Sequence, residues 1–274
     1  MNHYFQAGKY RLPLGGHTYV MGILNVTPDS FSDGGKWDSP QKAVEHALQM
    51  VAVGAEIIDI GGQSTRPGFQ PVPPEEELRR IAPVLEALRG QVDLPLSVDT
   101  FYPQVAEEAV RLGADIVNDV TGFDHPRMVE VVAKNGCGCI VMHHNEIPQG
   151  DVAETMRRFF EQRIRAAVDQ GVAPEAICLD VGIGFGLTLE QNLAAIRDLR
   201  RAGVDGFAML VGASRKSFIG KVCDQPVASE RVAGTVAAHV LSIAGGADII
   251  RVHDVPEAVQ SAQVADAILR SGKR

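Results

Sequence analysis

Asp99, Asn118 and Asp180 each close an apolar run of strand length: "LPLSVDT" (94–100), "DIVNDV" (115–120) and "AICLDVG" (176–182). A carboxylate accepts two parallel N–H bonds from an amidine-like or 2-aminopyrimidinone edge, as it does from arginine, and a neighbouring asparagine adds one donor and one acceptor. The three residues therefore suit a flat heterocycle. Arg251 and His253 lie two apart in "ADIIRVHDV" (247–255), so they point to one side of their strand and can grip phosphate oxygens. Taken singly, an aspartate after a strand is commonly a helix cap or turn former. The pattern gains meaning by recurring: Asn25, Asp59, the pair His143 and His144, and the trio Ser214, Arg215 and Lys216 close further runs. Carboxylates and amides on one side with Arg, Lys and His on another imply a ligand with a donor-rich head and an anionic tail.

The runs that position these residues number eight: 19–25, 56–61, 94–100, 115–120, 139–144, 176–182, 207–214 and 247–255. Between them lie segments of helical periodicity at about 39–53, after "PVPPEEE", and at 103–112, 126–135, 152–170, 189–202, 229–245 and 256–271. Several stop at glycine (Gly54, Gly113, Gly136, Gly171, Gly203). Eight strand-helix units in 274 residues predict an α/β fold, a (β/α)8 TIM barrel forming a single domain over 1–274, with a doubly wound open sheet as the alternative. Residues 1–18 precede the first unit, and "KYRLPLGGHTYV" reads as an N-terminal β-hairpin with a Gly-Gly turn that closes the lower end of the barrel. In a barrel the polar strand ends all arrive at the C-terminal rim, where this fold builds its sites.

The composition, 45% hydrophobic against 22% charged, is that of a globular chain with a substantial core. A formal charge of -8 with scattered basic residues argues against a nucleic-acid partner. Cys137, Cys139, Cys178 and Cys223 form neither a CxxC pair nor a disulfide framework, and read as buried thiols. No run is apolar enough to span a membrane and the first residues lack a signal-peptide pattern, so a cytoplasmic protein with no membrane partner is expected. The "EEELRR" run (75–80) and the arginines of 157–165 read as solvated helix faces, and Trp37 as a packing anchor.

"MGILNVTPDSFSDGG" (21–35), "IIDIGGQSTRPG" (57–68), "SVDT" (97–100), "VND" (117–119), "LDVGIGFG" (179–186), "GASRKSFIG" (212–220) and "RVHDV" (251–255), in this order along nearly the whole chain, closely resemble the dihydropteroate synthase family. The resemblance implies a folate-pathway transferase, usually homodimeric and a sulfonamide target, that joins 6-hydroxymethyl-7,8-dihydropterin diphosphate to p-aminobenzoate with Mg2+ present. Matching positions acquire roles from it: Asp99, Asn118, Asp180 and Lys216 for the pterin; Thr65, Arg66, Arg251 and His253 for the diphosphate; Asn25 for the metal. Phe31, Thr65, Pro67, Phe185, Lys216 and Ser217 would meet p-aminobenzoate. Asp99, Asp180, Lys216 and Asn25 form the implied catalytic set, and "NVTPDSFSDGG" the implied lid. The implied chemistry is dissociative, with carboxylates stabilising a cationic methylene and no nucleophilic side chain needed.

The chain departs from the family's usual pattern in four places: Gln63 where Glu is common, Val181 in place of proline, Leu187 where lysine is frequent, and His144-Asn145 within "MHHN". They leave two competing readings: a pterin-binding barrel like that of corrinoid-dependent methyltransferases, and a non-catalytic pterin-binding paralogue. The adjacent histidines do not have metal-hydrolase spacing, since neighbours on a strand face opposite ways; one is expected at the rim and one in packing.

Overall fold

The computed structural model describes residues 4–27, 39–63, 70–148 and 150–270. A hairpin of β1 (Tyr4–Ala7) and β2 (Tyr10–Pro13) precedes β3 (Tyr19–Asn25), β4 (Ile57–Gly61), β5 (Leu96–Asp99), β6 (Ile116–Asp119), β7 (Gly138–Met142), β8 (Ile177–Asp180), β9 (Ala208–Val211) and β10 (Ile249–Val252). The last eight pair in sequence order, all parallel, and β10 closes on β3, so the open-sheet alternative is excluded and the expected barrel is present. Around it run α1 (Ser39–Ala52), α2 (Pro74–Leu88), α3 (Pro103–Leu112), α4 (Pro126–Asn135), α5 (Val152–Asp169), α6 (Leu189–Arg197), α7 (Leu199–Ala202), α8 (Ser217–Cys223), α9 (Val232–Ala244) and α10 (Val255–Arg270). Among the described residues no helix is long and apolar enough to cross a membrane.

Strand side chains alternate between two apolar clusters. Met21, Ile57, Ile116, Ile140, Cys178, Leu210 and Ile249 fill the barrel's lower interior together with Phe5 and Ala7 of the hairpin, which plugs that end as expected. Their neighbours Val20, Ile58, Val117, Val141, Leu179, Val211 and Ile250 face outward to the helices.

Several local expectations need correction. The hairpin turns at Gly8 and Lys9, one strand earlier than the Gly15-Gly16 pair, which instead lies between β2 and the barrel. The segment 189–202 is two helices, because the backbone leaves helical geometry at Asp198 and the second piece buries Leu199 and Ala202. The short helix α8 is an addition; seven residues with Gly220 among them carry too little periodicity to signal a helix. At Gly203 the chain leaves α7 extended, without the left-handed stop. Cys223 is exposed, unlike the other three cysteines. In "EEELRR" only part of the run is solvated: Glu76 pairs with Arg79 and Arg80, but Glu77 is fully buried on the face it shares with Ile81, Leu85 and Leu88.

Candidate active site

The inward phase of the strands decides which polar residues meet. Two residues beyond the inward apolar Ile57, Ile116, Cys178 and Ile249 come Asp59, Asn118, Asp180 and Arg251, one layer higher in the barrel. Asp99 follows Ser97 in the same phase, and the register places Gly61 beside Asp99 and Asp99 beside Asn118. Asp119 falls in the outward phase, and its carboxylate accepts from the backbone N–H groups of Thr121 (2.8 Å) and Phe123 (3.0 Å). It is a turn former.

Asp99, Asn118, Asp180, Lys216 and Arg251 line a cleft whose apolar walls include Val120, Met142, Ile183 and Phe185. Arg251 donates from Nε to Asp59 Oδ2 (2.6 Å) and from a terminal nitrogen to Asp99 Oδ2 (2.7 Å), while Asn118 Nδ2 donates to the same Asp59 oxygen (3.2 Å). These bonds orient the groups and leave work undone: Asp99 Oδ1 and Asn118 Oδ1 are buried and accept no hydrogen bond among the described residues. Buried acceptors without donors are costly unless a ligand supplies them. Burial pushes the Asp99 carboxyl well above its usual range, against the pull of Arg251 and Lys216. Burial likewise pushes Asp180 up to about 6, opposed by the Gly182 N–H, which donates to its Oδ1 at 2.9 Å.

Lys216 stands with Nζ 4.0 Å from the centre of the Phe185 ring. Its stem crosses Gly184, where an added Cβ would lie 2.9 Å from Lys216 Cδ, so the 182–186 turn must be bare there. At Gly182, with φ +67°, a Cβ would strike the His143 carbonyl oxygen at 1.7 Å. This glycine holds the turn that follows Asp180, and the fully buried Val181 supplies a core contact.

Other expected residues fall as follows. Asn25 closes β3 opposite Gly61, half-buried. His253 meets Ser214 Oγ through Nδ1 (3.0 Å), so its ring is turned to β9's exit while Arg251 is turned to the two aspartates. Ser217 is exposed at the start of α8. Phe31, Thr65, Arg66, Pro67, Trp37 and nearly all of the lid lie outside the described residues. His143 is buried edge-on against Phe159, and His144 Nε2 contacts Asp124 at 3.0 Å, matching one packing and one rim histidine.

Two carboxylates enlarge the site beyond the sequence reading. Asp59 carries the Arg251 and Asn118 bonds, and only its place at a strand end hinted at this. Glu77 Oε2 accepts from Gln63 Nε2 (3.0 Å) and Thr100 Oγ1 (3.2 Å). Burial pushes Glu77 up to about 8, and the nearby Asp99 adds to the shift. The amide of Gln63 gives this buried acid a donor, which explains why a neutral residue is accepted at that position.

For a cation, the donor set is hard. Around the bare side of Gly61 stand Asn25 Oδ1 and Asp99, 3.8 Å and 3.6 Å (its Cβ) from where a Cβ would be. Among the described residues no three His, Cys, Asp or Glu side chains gather as a cage. One or two protein oxygens completed by water and substrate phosphate is the way Mg2+ is usually held, so Asn25 fits such an ion.

The pterin-binding enzyme family matches residues 21–253. A dihydropteroate synthase from Synechocystis sp. is 50% identical over 272 residues, covering 96% of this chain and 94% of its own. The chain belongs to the dihydropteroate synthase family. Two solved members of the dihydropteroate synthase family, both from Xanthomonas albilineans, share its fold. One, solved with 4-aminobenzoic acid, has a TM-score of 0.93, 41% identity and 98% coverage of each chain. The other, in complex with 7,8-dihydropteroate, has a TM-score of 0.89 and 40% identity, covering 97% of this chain and 98% of that one.

Proposed function

We propose that the chain condenses 6-hydroxymethyl-7,8-dihydropterin diphosphate with p-aminobenzoate, giving 7,8-dihydropteroate and pyrophosphate. The observation that carries this reading is the pair of buried, unsatisfied acceptors, Asp99 Oδ1 and Asn118 Oδ1, in a cleft that also holds Asp180 and Lys216. An N–H-rich heterocycle satisfies them, while Met142 and Ile183 pack on its faces.

In this reading Asp99, Asn118 and Asp180 take the N–H groups of the pterin, and Lys216 donates to its ring acceptors. Arg251 has five N–H donors, of which its bonds to the aspartates use two, so it and His253 serve the diphosphate with Thr65 and Arg66. Cleavage of the methylene C–O bond sends the electron pair to pyrophosphate and leaves a cation conjugated to the pterin. Asp99 and Asp180 stabilise that charge from fixed positions in a dry site. The p-aminobenzoate nitrogen, placed by Phe185, Ser217, Phe31 and Pro67, then forms the C–N bond and loses its proton. Mg2+ held by Asn25 would supply positive charge to the leaving diphosphate.

Dihydropteroate and pyrophosphate formed in equal amounts from the two substrates and Mg2+ is the expected result; pterin binding without product would favour a non-catalytic paralogue. A second expectation concerns pH. Asp180 and Asp99 bind the heterocycle as carboxylates and their folded values are about 6 and about 7, so affinity for dihydropterin falls as pH is lowered through about 7 and then about 6. Calorimetric titration across pH 5 to 8 checks this; a flat profile contradicts it.

The chain works as one domain and, in this proposal, as a homodimer in the cytoplasm. α9 and α10 pack on each other yet leave Leu241, Val264 and Ile268 between 60% and 71% exposed, which a second copy would cover. Light scattering should give twice the chain mass, and Ile268→Glu should halve it. Three buried thiols suit a reducing compartment.

A further inference from the structure

Lys216 sits on a backbone that does not hold its shape unaided. Arg215, just before it, has φ +56°, a left-handed conformation that a non-glycine residue adopts only under restraint. The restraint comes from one face of one helix. Arg231, Thr235 and His239 occur at intervals of four along the start and body of α9, so their side chains stack in a row. Each takes a backbone group of the 213–215 segment. His239 Nε2 accepts the Ala213 N–H (3.3 Å), Thr235 Oγ1 accepts the Arg215 N–H (3.0 Å), and an Arg231 terminal nitrogen donates to the Arg215 carbonyl (3.0 Å). Thr235 and His239 are 3% and 1% exposed, so water does not compete for these bonds. Burial holds the His239 imidazole down to about 4; it is therefore a neutral acceptor in the physiological range. Arg231 is itself fixed, because its Nε donates to the Gln225 carbonyl (2.9 Å) and its other terminal nitrogen to that of Pro226 (2.6 Å). The Arg215 side chain is drawn away from the cleft to Asp254, with Nε at 2.9 Å from a carboxylate oxygen.

We propose that Arg231, Thr235 and His239 are positioning residues that act through Lys216: α9 clamps the 213–215 backbone and so fixes where the ammonium stands over Phe185 and the pterin site. The inference rests on the reading of Lys216 as a pterin-contacting residue. None of the three residues lines the cleft, so their effect on the reaction must pass through the loop they hold.

A double-mutant cycle tests this, read both as kcat and KM for dihydropteroate formation and as the dissociation constant for dihydropterin alone. Thr235→Val keeps the shape and removes the acceptor. It should lower kcat and pterin affinity roughly 10- to 100-fold, the scale of a misplacement near 1 Å. Thr235→Ser should restore most of the loss. In a Lys216→Ala background Thr235→Val should add nothing further. An equal loss in both backgrounds, or a fall in thermal stability with kcat and pterin affinity unchanged, overturns the proposal. If Thr235→Val does not fold, His239→Leu carries the same cycle. Pterin binding is measured without turnover, so a wild-type chain that binds pterin but makes no product would refute the synthase reading and still report on the clamp.

Discussion

Replacing Asp180 by asparagine is expected to lower kcat/KM for dihydropteroate formation by roughly 100- to 1,000-fold, the scale for loss of one preorganised electrostatic group at a developing charge. The carboxylate sits in the inward layer that lines the cleft, buried, with its Oδ1 tied to the Gly182 N–H. Asparagine keeps the shape but removes the negative charge facing the methylene cation, and it offers the heterocycle a donor where two donors already point. Both kcat and pterin affinity should fall. Thermal stability should hold or improve slightly, because burial raises the Asp180 value and its ionisation in the folded chain is a cost above pH 3.8. Lys216→Ala should show a comparable loss of turnover. His144→Ala should not: its ring is engaged with Asp124 and is not among the cleft-lining residues. Steady-state kinetics on the three variants decide the matter, and equal losses in all three would contradict the assignment of the site.

Arg251→Leu should be the most destabilising change in the barrel mouth, by about 3–5 kcal/mol near neutral pH. Its guanidinium is the cation between Asp59 and Asp99, which are 0% and 6% exposed at their side chains. Leucine leaves two buried carboxylates facing each other without that partner. The pH dependence has a definite sign. Burial already holds Asp99 above its unfolded value of 3.8, and losing the pull of Arg251 raises it further. A carboxyl with a raised folded value binds protons more tightly in the folded chain. The deficit is therefore smallest well below pH 7, where Asp99 is protonated in the folded wild type and variant alike, and grows as pH rises through neutrality. Urea unfolding of wild type and variant at pH 4, 5.5 and 7.5 measures it. A deficit that does not change with pH would mean that lost packing, not uncompensated charge, is the cause.

Much of this arrangement is legible in the amino-acid sequence, for identifiable reasons. Parallel strands covered on both faces must be apolar nearly throughout, so "EIIDIG" or "AICLDVG" announces a strand, and the lone polar residue at its end announces the rim. The period of two then places Asp59, Asp99, Asn118 and Asp180 in one layer without further information. What stays hidden depends on partners far apart in the chain. Arg251 meets Asp59 across 192 residues, and nothing local distinguishes an arginine that grips a ligand from one that bridges two aspartates. Glu77 is concealed by its neighbours: three consecutive glutamates read as one solvated face, yet a turn of 100° puts the third beside Ile81. The hairpin turn is misplaced in the sequence reading because Gly15-Gly16 is the stronger turn signal, while the actual turn at Gly8-Lys9 needs a single left-handed glycine. The α9 clamp has no sequence signal either, since Thr235 and His239 sit in a mostly apolar helix and show their purpose only against the 213–215 backbone.

The central claim is that the mouth of the barrel stabilises a pterin methylene cation, so that the bond to diphosphate breaks before the amine attacks. Substrate carrying 18O at the bridging position between methylene and diphosphate tests it most directly. Incubated with the enzyme and Mg2+ without p-aminobenzoate, then recovered and examined by phosphorus NMR, the substrate should show the label scrambled into non-bridging positions of the adjacent phosphate. Label that stays wholly in the bridge, while the same preparation makes dihydropteroate at full rate once p-aminobenzoate is added, would contradict the account.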